Sequence, residues 1–362
     1  WERKRYMNKG TACIAVAGGG TGGHLSPMIA VAEELKTSGA QDILLLGSSS
    51  GVDEKFFHRY DFDFALLSSQ KPHGLLSLPV VAFRMLLAVL RACYLFRKRN
   101  VSTVVCTGGY AGMAGGIAGV LLRKPLLLLE QNAVPGRTIR MLSHFSKRIF
   151  CQFGCCAHTF GPKGEYAGNP LRIEITDRIS IDTTRRNTVL IMGGSQGAHN
   201  VNRLLLDYLD FSSDILKQFQ VVHLSGPLDQ AKLRKKYEQL GIDAEVIPFT
   251  HDMRSLYEKS CFIISRAGAS SMAEYTAWGI PALLIPLPWA KDNHQVRNAE
   301  EMKTAGAGDF IQENEFSPVL MHQKLTEMLA DKTHRLELSR NAATFSRPKA
   351  GRRVTDYIMN NL

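Results

Sequence analysis

A histidine ends the first glycine-rich stretch of this chain, which reads GGGTGGH over residues 18–24. The stretch follows the apolar run CIAVA (13–17) and precedes a helical pattern that we expect to begin near Ser26 and Pro27. Glycines allow close backbone approach, and a helix N-terminus offers N–H groups to an anion or a hydroxyl. A histidine at the mouth of such a loop is suited to general-base catalysis. A tight turn without a ligand, with His24 as a surface or capping residue, is the alternative.

Two familiar nucleotide motifs are excluded by the residues around this loop. The dinucleotide fingerprint requires an acidic residue at the end of the second strand, where this chain reads LGSS (46–49). The P-loop ends in Gly-Lys-Ser/Thr, whereas this loop ends in Gly-Gly-His. We therefore expect neither NAD binding nor P-loop chemistry.

Two further polar clusters follow apolar runs in the second half of the chain. The loop GGSQGA (193–198) combines glycines, a serine and a following helix, which makes a site for a diphosphate. The segment SRAGASSMAE (265–274) places Glu274 in the first turns of a helix. Its carboxylate could accept two ribose hydroxyls, or it could simply complement the helix dipole. The cluster KDNHQ (291–295) follows the next apolar run.

The elements that position these loops are apolar runs alternating with helix-length amphipathic stretches, from about residue 11 to residue 330. Continuous apolar strands separated by helices indicate parallel sheets covered on both faces. The strand, glycine loop and helix pattern restarts at residue 188, after a polar stretch over 163–187. We predict an α/β fold of two doubly wound, Rossmann-like domains with a cleft between them. The expected bounds are 7–168, a linker 169–187, a second domain 188–340, and a C-terminal helical segment 341–362 that packs back on the first domain.

The charge balance favours an anionic partner. The 362 residues carry a formal charge of +11, which fits nucleic acid, anionic lipid headgroups or a phosphorylated substrate. The segment 79–96 is apolar enough to suggest a membrane span, but Arg84 and Arg91 argue against one. Residues 75–99 instead form a basic amphipathic stretch, either a membrane-surface helix or a core-facing helix with a solvated basic stripe.

Metal sites are not favoured by the sequence. Cys151, Cys155 and Cys156 lie close together without a second Cys/His pair at metal spacing, so we expect reduced thiols. Asp61 and Asp63 form a D-x-D, which lies far along the chain from the nucleotide loops.

Taken in order along the chain, the motifs resemble one family, the MurG family of peptidoglycan glycosyltransferases. The matching segments are GGGTGGHLSP (18–27), TGGYAG (107–112), LEQNAVPG (129–136), GNPLR (168–172), MGGSQGAHNVN (192–202), SRAGASSMAEYTAWGIPALLIP (265–286) and KDNHQVRNAE (291–300). The resemblance implies the GT-B fold and inverting transfer of N-acetylglucosamine from UDP-GlcNAc to the 4-hydroxyl of the muramoyl sugar of undecaprenyl-linked lipid I. The product would be lipid II, made without a cofactor or metal by a peripheral enzyme at the cytoplasmic face of the cell membrane.

The resemblance also implies roles for individual positions. His24 corresponds to the general base, and Gly20, Gly23 and Tyr110 lie on the acceptor side. The positions implied for the nucleotide sugar are Thr21, Gly22, Asn132, Arg172, Ser195, Gln196, Thr250, Glu274 and Gln295. Among these, Arg172 and Ser195 are implied for the diphosphate, Glu274 for the ribose and Gln295 for the sugar hydroxyls.

The chain departs from the family pattern at two places. Leu129 stands where the family usually has a histidine, and in the segment 290–294 only Asp292 matches. Three rivals remain open: a UDP-GlcNAc 2-epimerase, another UDP-sugar-dependent lipid glycosyltransferase, and a nucleic-acid binder suggested only by the charge. No nucleic-acid-binding module is recognisable, so we expect no nucleic-acid partner.

Overall fold

The structure, a computed structural model, describes residues 12–49, 51–68, 78–177, 179–180, 186–193 and 198–361. The strands are β1 Cys13–Ala17, β2 Ile43–Ser48, β3 Asp63–Leu67, β4 Val101–Cys106, β5 Leu126–Glu130, β6 Arg148–Cys151, β7 Gly164–Tyr166, β8 Thr188–Met192, β9 Gln220–Leu224, β10 Ala244–Ile247, β11 Ser260–Ser265, β12 Ala282–Leu284 and β13 Gly308–Phe310. The helices are α1 Gly22–Thr37, α2 Gly51–Phe57, α3 Leu78–Lys98, α4 Gly109–Leu121, α5 Arg137–Leu142, α6 Gly154–Thr159, α7 Ile173–Thr176, α8 Ala198–Phe211, α9 Gln230–Leu240, α10 Met253–Lys259, α11 Ala269–Ala277, α12 His294–Thr304, α13 Pro318–Leu329, α14 Lys332–Phe345 and α15 Ala350–Asn361.

The chain divides into two compact units. Unit 1 contains residues 1–131, 135–172 and 349–362, and unit 2 contains residues 132–134 and 173–348. Each unit is built on a parallel sheet with helices packed against it, because its strands are continuous apolar runs that must be covered on both faces. The expected fold class of two parallel α/β sheets is confirmed.

Unit 1 holds a sheet of strand order β3-β2-β1-β4-β5-β6-β7, paired in parallel throughout. The strand order reverses between β1 and β4. From β1 the next strands, β2 and β3, extend the sheet in one direction, and from β4 the strands β5, β6 and β7 extend it in the other. The C-terminal helix α15 packs on α1, and its Val354 and Ile358 are buried in the core of this unit. Unit 1 therefore contains both the first described strand, β1, and the last described helix, α15.

Unit 2 holds a sheet of strand order β10-β9-β8-β11-β12-β13, again parallel throughout. Here the order reverses between β8 and β11. In an open parallel sheet, ligands bind outside the carboxyl ends of the strands at the point where the order reverses. Each unit therefore has one such point, after β1 and β4 in unit 1 and after β8 and β11 in unit 2.

Several observed bounds differ from the expected ones. The helix α1 begins at Gly22 rather than near Ser26, so Pro27 lies inside its second turn, and the glycine pair 22–23 is already helical. The units meet along the chain at 172–173 and 348–349, rather than at the ends of an extended linker and at residue 340. Residues 132–134 belong to unit 2, whereas the expected first domain, 7–168, contained them.

Candidate active site

The reversal point of unit 1 brings two glycine turns together. A Cβ built on Gly109, after β4, would lie 2.4 Å from the carbonyl oxygen of Gly19, after β1. Gly108 has a φ of +102°, and a Cβ there would lie 2.9 Å from Cε1 of His24. Both the positive φ and the short distances require glycine. The loop after β1 and the loop after β4 are therefore in direct contact, with His24 between them.

A buried carboxylate holds the first glycine loop in place. Asp53, from the first turn of α2, is fully buried. Its two oxygens lie 3.0 Å from the backbone nitrogen of Gly20, and one of them also accepts bonds from the backbone nitrogen (2.8 Å) and hydroxyl (2.9 Å) of Ser48. The dinucleotide fingerprint calls for an acid at the end of β2, and Asp53 lies five residues later, on a helix, so no motif in the sequence marked this residue. The N–H group of Gly20 is thus engaged within the chain.

His24 lies in the first turn of α1 and is partly exposed. Its Nδ1 is 3.3 Å from Oε1 of Gln131, which follows β5 and is buried. The hydroxyl of Thr107 donates to the carbonyl oxygen of His24 at 3.0 Å. His24 is therefore held at its backbone by a residue that follows β4 and at its ring by a residue that follows β5, two neighbouring strands of the sheet.

The other predicted positions of the first glycine loop, and Tyr110, lie at the same edge of the sheet. Thr21 is the N-cap of α1 in an extended conformation, and its carbonyl accepts from the nitrogens of His24 and Leu25 at 3.1 Å. Gly22 and Gly23 are exposed in the first turn of α1, and Tyr110 lies partly exposed in the first turn of α4. The structure thus brings the predicted positions 20–24 and Tyr110 to one end of one sheet.

Arg172 is the last residue of the main part of unit 1. Its side chain is buried, and its Nη1 donates to the hydroxyl of Tyr60 at 3.2 Å. The predicted diphosphate partners Ser195 and Gln196 lie outside the described residues. Arg172 therefore belongs to a different unit from Glu274, Thr250 and Gln295.

The reversal point of unit 2 positions Glu274. β11 is followed by the turn 266–268 and then by α11, in which Glu274 is buried. The hydroxyl of Tyr257 donates to Oε2 of Glu274 at 3.0 Å. A buried carboxylate with one oxygen held by a hydroxyl is oriented in a fixed direction, as a bidentate contact to a ribose requires.

Gln295 is held by the chain that follows β12. Its Oε1 accepts from the backbone nitrogen of Leu287 at 2.9 Å. Asp292 and Asn293 both have a φ of 54°, a conformation that is uncommon for residues other than glycine. Because the oxygen of the Gln295 amide is used, its NH₂ group is the end that can donate to a ligand hydroxyl.

Asn298 lies in the motif KDNHQVRNAE (291–300), which predicts no role for it, and it joins three segments of unit 2. It is fully buried on α12, and its Oδ1 accepts from the backbone nitrogen of Ala133 at 2.9 Å. Its Nδ2 donates to the carbonyl of Ala267 at 3.0 Å and to Oδ1 of Asn132 at 3.3 Å. These bonds explain why residues 132–134 belong to unit 2, and they place Asn132 beside the turn that precedes Glu274.

Thr250 lies in the turn between β10 and α10. Its hydroxyl oxygen accepts from the backbone nitrogen of Asp252 at 3.0 Å. Asp252 caps α10 by accepting from the backbone nitrogen of Ser255 at 3.1 Å, and the bonds from Ser255 hold the pKa of this carboxyl below its usual range. The exposed ring of Phe249 meets the ring of His251 edge-on, with the centroids 4.7 Å apart.

A buried polar network lies behind α8, which follows the predicted diphosphate loop. His223 is fully buried, with Nδ1 3.0 Å from the hydroxyl of Tyr237 and Nε2 3.0 Å from Oδ1 of Asn202. Asn202 donates to Asp229 at 2.7 Å, and Asp229 lies 2.9 Å from Nδ1 of His199. Burial lowers the pKa of His223 to about 3, so this ring is neutral. In the sequence His223 is part of an expected strand, and no motif gives it a role.

The aspartates of the D-x-D take part in separate ion pairs. Asp61 lies 3.6 Å from Nζ of Lys36, and Asp63 lies 3.0 Å from Nη2 of Arg99. Arg99 also pairs with Asp42, which precedes β2. Its guanidinium is therefore bound beside β2 and β3 at the edge of the sheet and does not extend the basic stripe of α3. Among the residues that the structure describes, no three His, Cys, Asp or Glu side chains are grouped to hold a metal ion.

Comparison with known proteins identifies the family of both halves. The model of the glycosyltransferase family 28 N-terminal domain matches residues 14–151, and that of the glycosyltransferase family 28 C-terminal domain matches residues 188–354. The crystal structure of Acinetobacter baumannii MurG is 28% identical, with a TM-score of 0.77, over 96% of this chain and 99% of that one.

A solved structure of the rival class shows a shared fold only. The UDP-GlcNAc 2-epimerase from Neisseria meningitidis bound to UDP-GlcNAc has a TM-score of 0.68 over 97% of this chain and 100% of that one, but it is 12% identical. At that identity the likeness concerns the fold and not the activity.

A relative that matches nearly the whole of this chain shows which family the chain belongs to. A protein of Xanthomonas axonopodis pv. citri (strain 306) is 34% identical over 354 residues, which cover 96% of this chain and 81% of that protein. It is named UDP-N-acetylglucosamine--N-acetylmuramyl-(pentapeptide) pyrophosphoryl-undecaprenol N-acetylglucosamine transferase. This chain therefore belongs to the family 28 glycosyltransferases, and within them to the family that carries this name.

Proposed function

We propose that this chain transfers N-acetylglucosamine from UDP-GlcNAc to the 4-hydroxyl of the muramoyl sugar of undecaprenyl-linked lipid I, which gives lipid II. The observation that carries the proposal is the 34% identity to a transferase of this name over 96% of the chain. The placement of His24 and Glu274 at the two reversal points supports it, because these are the positions where open parallel sheets bind ligands.

We assign the acceptor and the base to unit 1. His24 takes the proton of the acceptor hydroxyl while the oxygen attacks the anomeric carbon, and UDP departs from the opposite face. Since the donor sugar is α-linked, a single displacement gives a β linkage. Gly20, Gly23 and Tyr110 lie at the same edge of the sheet as His24, which suits them to contact the acceptor.

We assign the nucleotide sugar to unit 2. The oriented carboxylate of Glu274 accepts the ribose hydroxyls, and the NH₂ group of Gln295 donates to a hydroxyl of the sugar. The turn at Thr250 contacts the uracil, and Asn132 contacts the transferred sugar from beside Asn298. The family resemblance also assigns donor contacts to Thr21, Gly22 and Arg172, and to Ser195 and Gln196, which lie outside the described residues.

The departing diphosphate needs stabilisation of its negative charge. Backbone N–H groups at helix N-termini and the guanidinium of Arg172 can supply this without a metal. We accordingly expect the rate to be unchanged when divalent ions are removed by EDTA. A loss of activity that Mg²⁺ restores would contradict this part of the proposal.

The base assignment is tested with a short-chain lipid I analogue and labelled UDP-GlcNAc. His24→Ala should lower kcat by about 10²- to 10⁴-fold, the range for loss of a general base. His58→Ala, at an exposed histidine of α2's C-terminal end in the same unit, should leave the rate unchanged. If His24→Ala kept a near-full rate with an unchanged pH profile, the base would be another group.

The rival activities are separated by the same assay. UDP release that requires the polyprenyl-linked acceptor excludes the epimerase, which needs no acceptor. A preference for UDP-galactose in a panel of donors would replace the assigned sugar and indicate another lipid glycosyltransferase.

We further propose that α3 binds an anionic membrane surface at the cytoplasmic face. By length and composition, Pro79–Lys98 is the one described helix that could cross a membrane. However, α3 packs on α4, and Ala88, Ala92 and Phe96 along one of its faces are buried. A helix that covers its own unit with one face is better suited to lie on a membrane than to cross it.

The opposite face of α3 carries exposed apolar side chains. Phe83, Leu87, Leu90 and Tyr94 recur at helical spacing and are 46–61% exposed. Arg84, Arg91 and Lys98 recur every seven residues along the same side of this strip. Apolar insertion flanked by cations is the combination that binds anionic bilayers. Residues 75–77 of the predicted segment lie outside the described part of the chain.

Sedimentation with vesicles tests this surface. The protein should bind phosphatidylglycerol vesicles more tightly than phosphatidylcholine vesicles, and salt should weaken the binding. Leu90→Ser should lower the affinity by about tenfold, because one leucine contributes about 1.5–3 kcal/mol when fully buried. Val52→Ser, at an equally exposed position on α2, should have no effect. Equal loss in both variants, or equal binding to neutral vesicles, would contradict the proposal.

A further inference from the structure

The side-chain amide of Gln131 lies between the carbonyl oxygen of Leu129, which needs a hydrogen-bond donor, and Nδ1 of His24, which faces the amide oxygen. Gln131 is 3% exposed, at the end of β5. Its Nε2 donates to the carbonyl oxygen of Leu129 at 3.2 Å, and its Oε1 faces Nδ1 of His24 at 3.3 Å. Neither Gln131 nor Leu129 was given a role from the sequence, and Leu129 is a position where the chain departs from its family.

The carbonyl of Leu129 decides which way the amide points. An amide has one end that donates and one that accepts, and a carbonyl oxygen only accepts. If the Gln131 amide were reversed, its oxygen would face the Leu129 oxygen and neither could donate. The contact with Leu129 therefore fixes the amide oxygen towards His24.

The amide in turn decides where the proton of His24 lies. The Gln131 oxygen only accepts, so Nδ1 of His24 must carry the hydrogen of this bond. A neutral imidazole carries one N–H, and Nε2 is then the nitrogen with the lone pair. The ring cannot be displaced freely, because Cε1 lies against Gly108 and the Thr107 hydroxyl holds the backbone of His24.

We propose that Gln131 is a positioning residue that holds His24 in the Nδ1–H tautomer and so leaves Nε2 as the base. The proposal rests on the role of His24 given above. In the step, the acceptor O–H proton moves to Nε2, and the oxygen's electron pair forms the bond to the anomeric carbon. The bond from that carbon to the UDP oxygen breaks, and its electron pair leaves with UDP. The resulting imidazolium keeps its Nδ1–H on the Gln131 oxygen.

Nitrogen NMR of protein labelled with ¹⁵N-histidine reads the tautomer without any turnover. His24→Asn assigns the signal by its loss. We expect His24 in the wild type to be protonated at Nδ1 when neutral, and the Gln131→Met variant to lose that preference. An Nε2–H ring in the wild type, or an unchanged tautomer in Gln131→Met, would overturn the proposal.

Kinetics with the lipid I analogue then test the consequence for catalysis. Gln131→Met should lower kcat by about 10- to 100-fold and leave the KM for UDP-GlcNAc within about twofold. Gln131→Glu keeps an acceptor for Nδ1, so it should recover much of the lost rate. Because its carboxylate favours the imidazolium, the acidic limb of the pH profile should move to higher pH.

A matched control variant is available, and failure of the base assignment can be distinguished from failure of the positioning role. Gln152→Met changes another buried glutamine, after the neighbouring strand β6, and should leave kcat and the tautomer unchanged. If His24→Ala keeps a near-full rate, the base assignment fails, while the NMR result still decides the tautomer. If His24 is essential but Gln131→Met changes neither kcat nor the pH profile, the positioning role itself is wrong.

Discussion

Among the positions beneath the first glycine loop, we expect substitution of Asp53 to lower stability and activity the most. Asp53→Asn keeps the size and shape of the side chain but replaces one acceptor oxygen with an NH₂ group. The wild-type carboxylate accepts from two backbone N–H groups and one hydroxyl, at 2.8–3.0 Å, and is fully buried. In the variant an NH₂ group must face at least one of these donors.

The magnitude follows from which donor the NH₂ group faces. Both bonds from Ser48 go to Oδ2, so the asparagine can keep its oxygen at that position and turn its NH₂ group towards the N–H of Gly20. The variant then loses one charge-assisted bond and places two donors against each other, although the exposed backbone of Gly20 can be partly hydrated. We expect Asp53→Asn to lower the free energy of unfolding of unit 1 by about 1–3 kcal/mol. Since Gly20 precedes α1 by two residues, kcat/KM for the acceptor should fall as well.

Urea denaturation followed by circular dichroism measures the stability, and the lipid I assay measures the activity. The matched control is Asp61→Asn, which removes the charge of an exposed aspartate paired with Lys36. Exposed pairs contribute about 0–1 kcal/mol, so the control should stay close to the wild type. If Asp53→Asn were no less stable than Asp61→Asn, the carboxylate would not be what holds the loop.

Two further predictions concern unit 2. Burial lowers the pKa of His223 to about 3, so the unfolded chain binds a proton at this residue that the folded unit does not. Stability should therefore be fully present above about pH 6.5 and fall by up to about 1.4 kcal/mol per pH unit below it. His223→Gln should flatten this slope in urea titrations of unit 2 between about pH 4 and 6.5, and an unchanged slope would contradict it. Asn298→Ala removes the partner of the Ala133 N–H and should cost about 1–3 kcal/mol. It should also raise the KM for UDP-GlcNAc, whereas Asn341→Ala, at a partly exposed asparagine of α14, should leave that KM unchanged.

The strands of both sheets could be predicted because each strand is marked by its own run of apolar residues. Runs such as CIAVA and TVLIM are continuous in apolar residues, and a parallel strand buried on both faces demands that pattern. The expected apolar runs all contain strands of the structure. The short strands β7 and β13 gave no such signal, since each has three residues and is only partly buried. Their positions depend on pairing with a neighbour already in the sheet.

The contacts within the candidate site could not be predicted because they join distant residues. Asp53 is 33 residues from Gly20, and Asn298 is 165 residues from Ala133. Nothing in the local pattern marks either as a partner. The same holds for Gln131, whose role depends on an amide orientation set by Leu129 and read by His24, 107 residues away.

The two reversal points share a topology but differ in the ligands they suit. In unit 1 a buried carboxylate already occupies the N–H of Gly20, so a phosphate over that loop would meet a negative charge. A neutral hydroxyl meets no such repulsion, and beside it lies His24 with a neutral amide on Nδ1. In unit 2 the groups are an oriented acid at Glu274 and an oriented amide at Gln295, to which we assign hydroxyls of the ribose and of the sugar in the proposed function. The charge beneath the first loop therefore favours a neutral acceptor hydroxyl over a phosphate at Gly20.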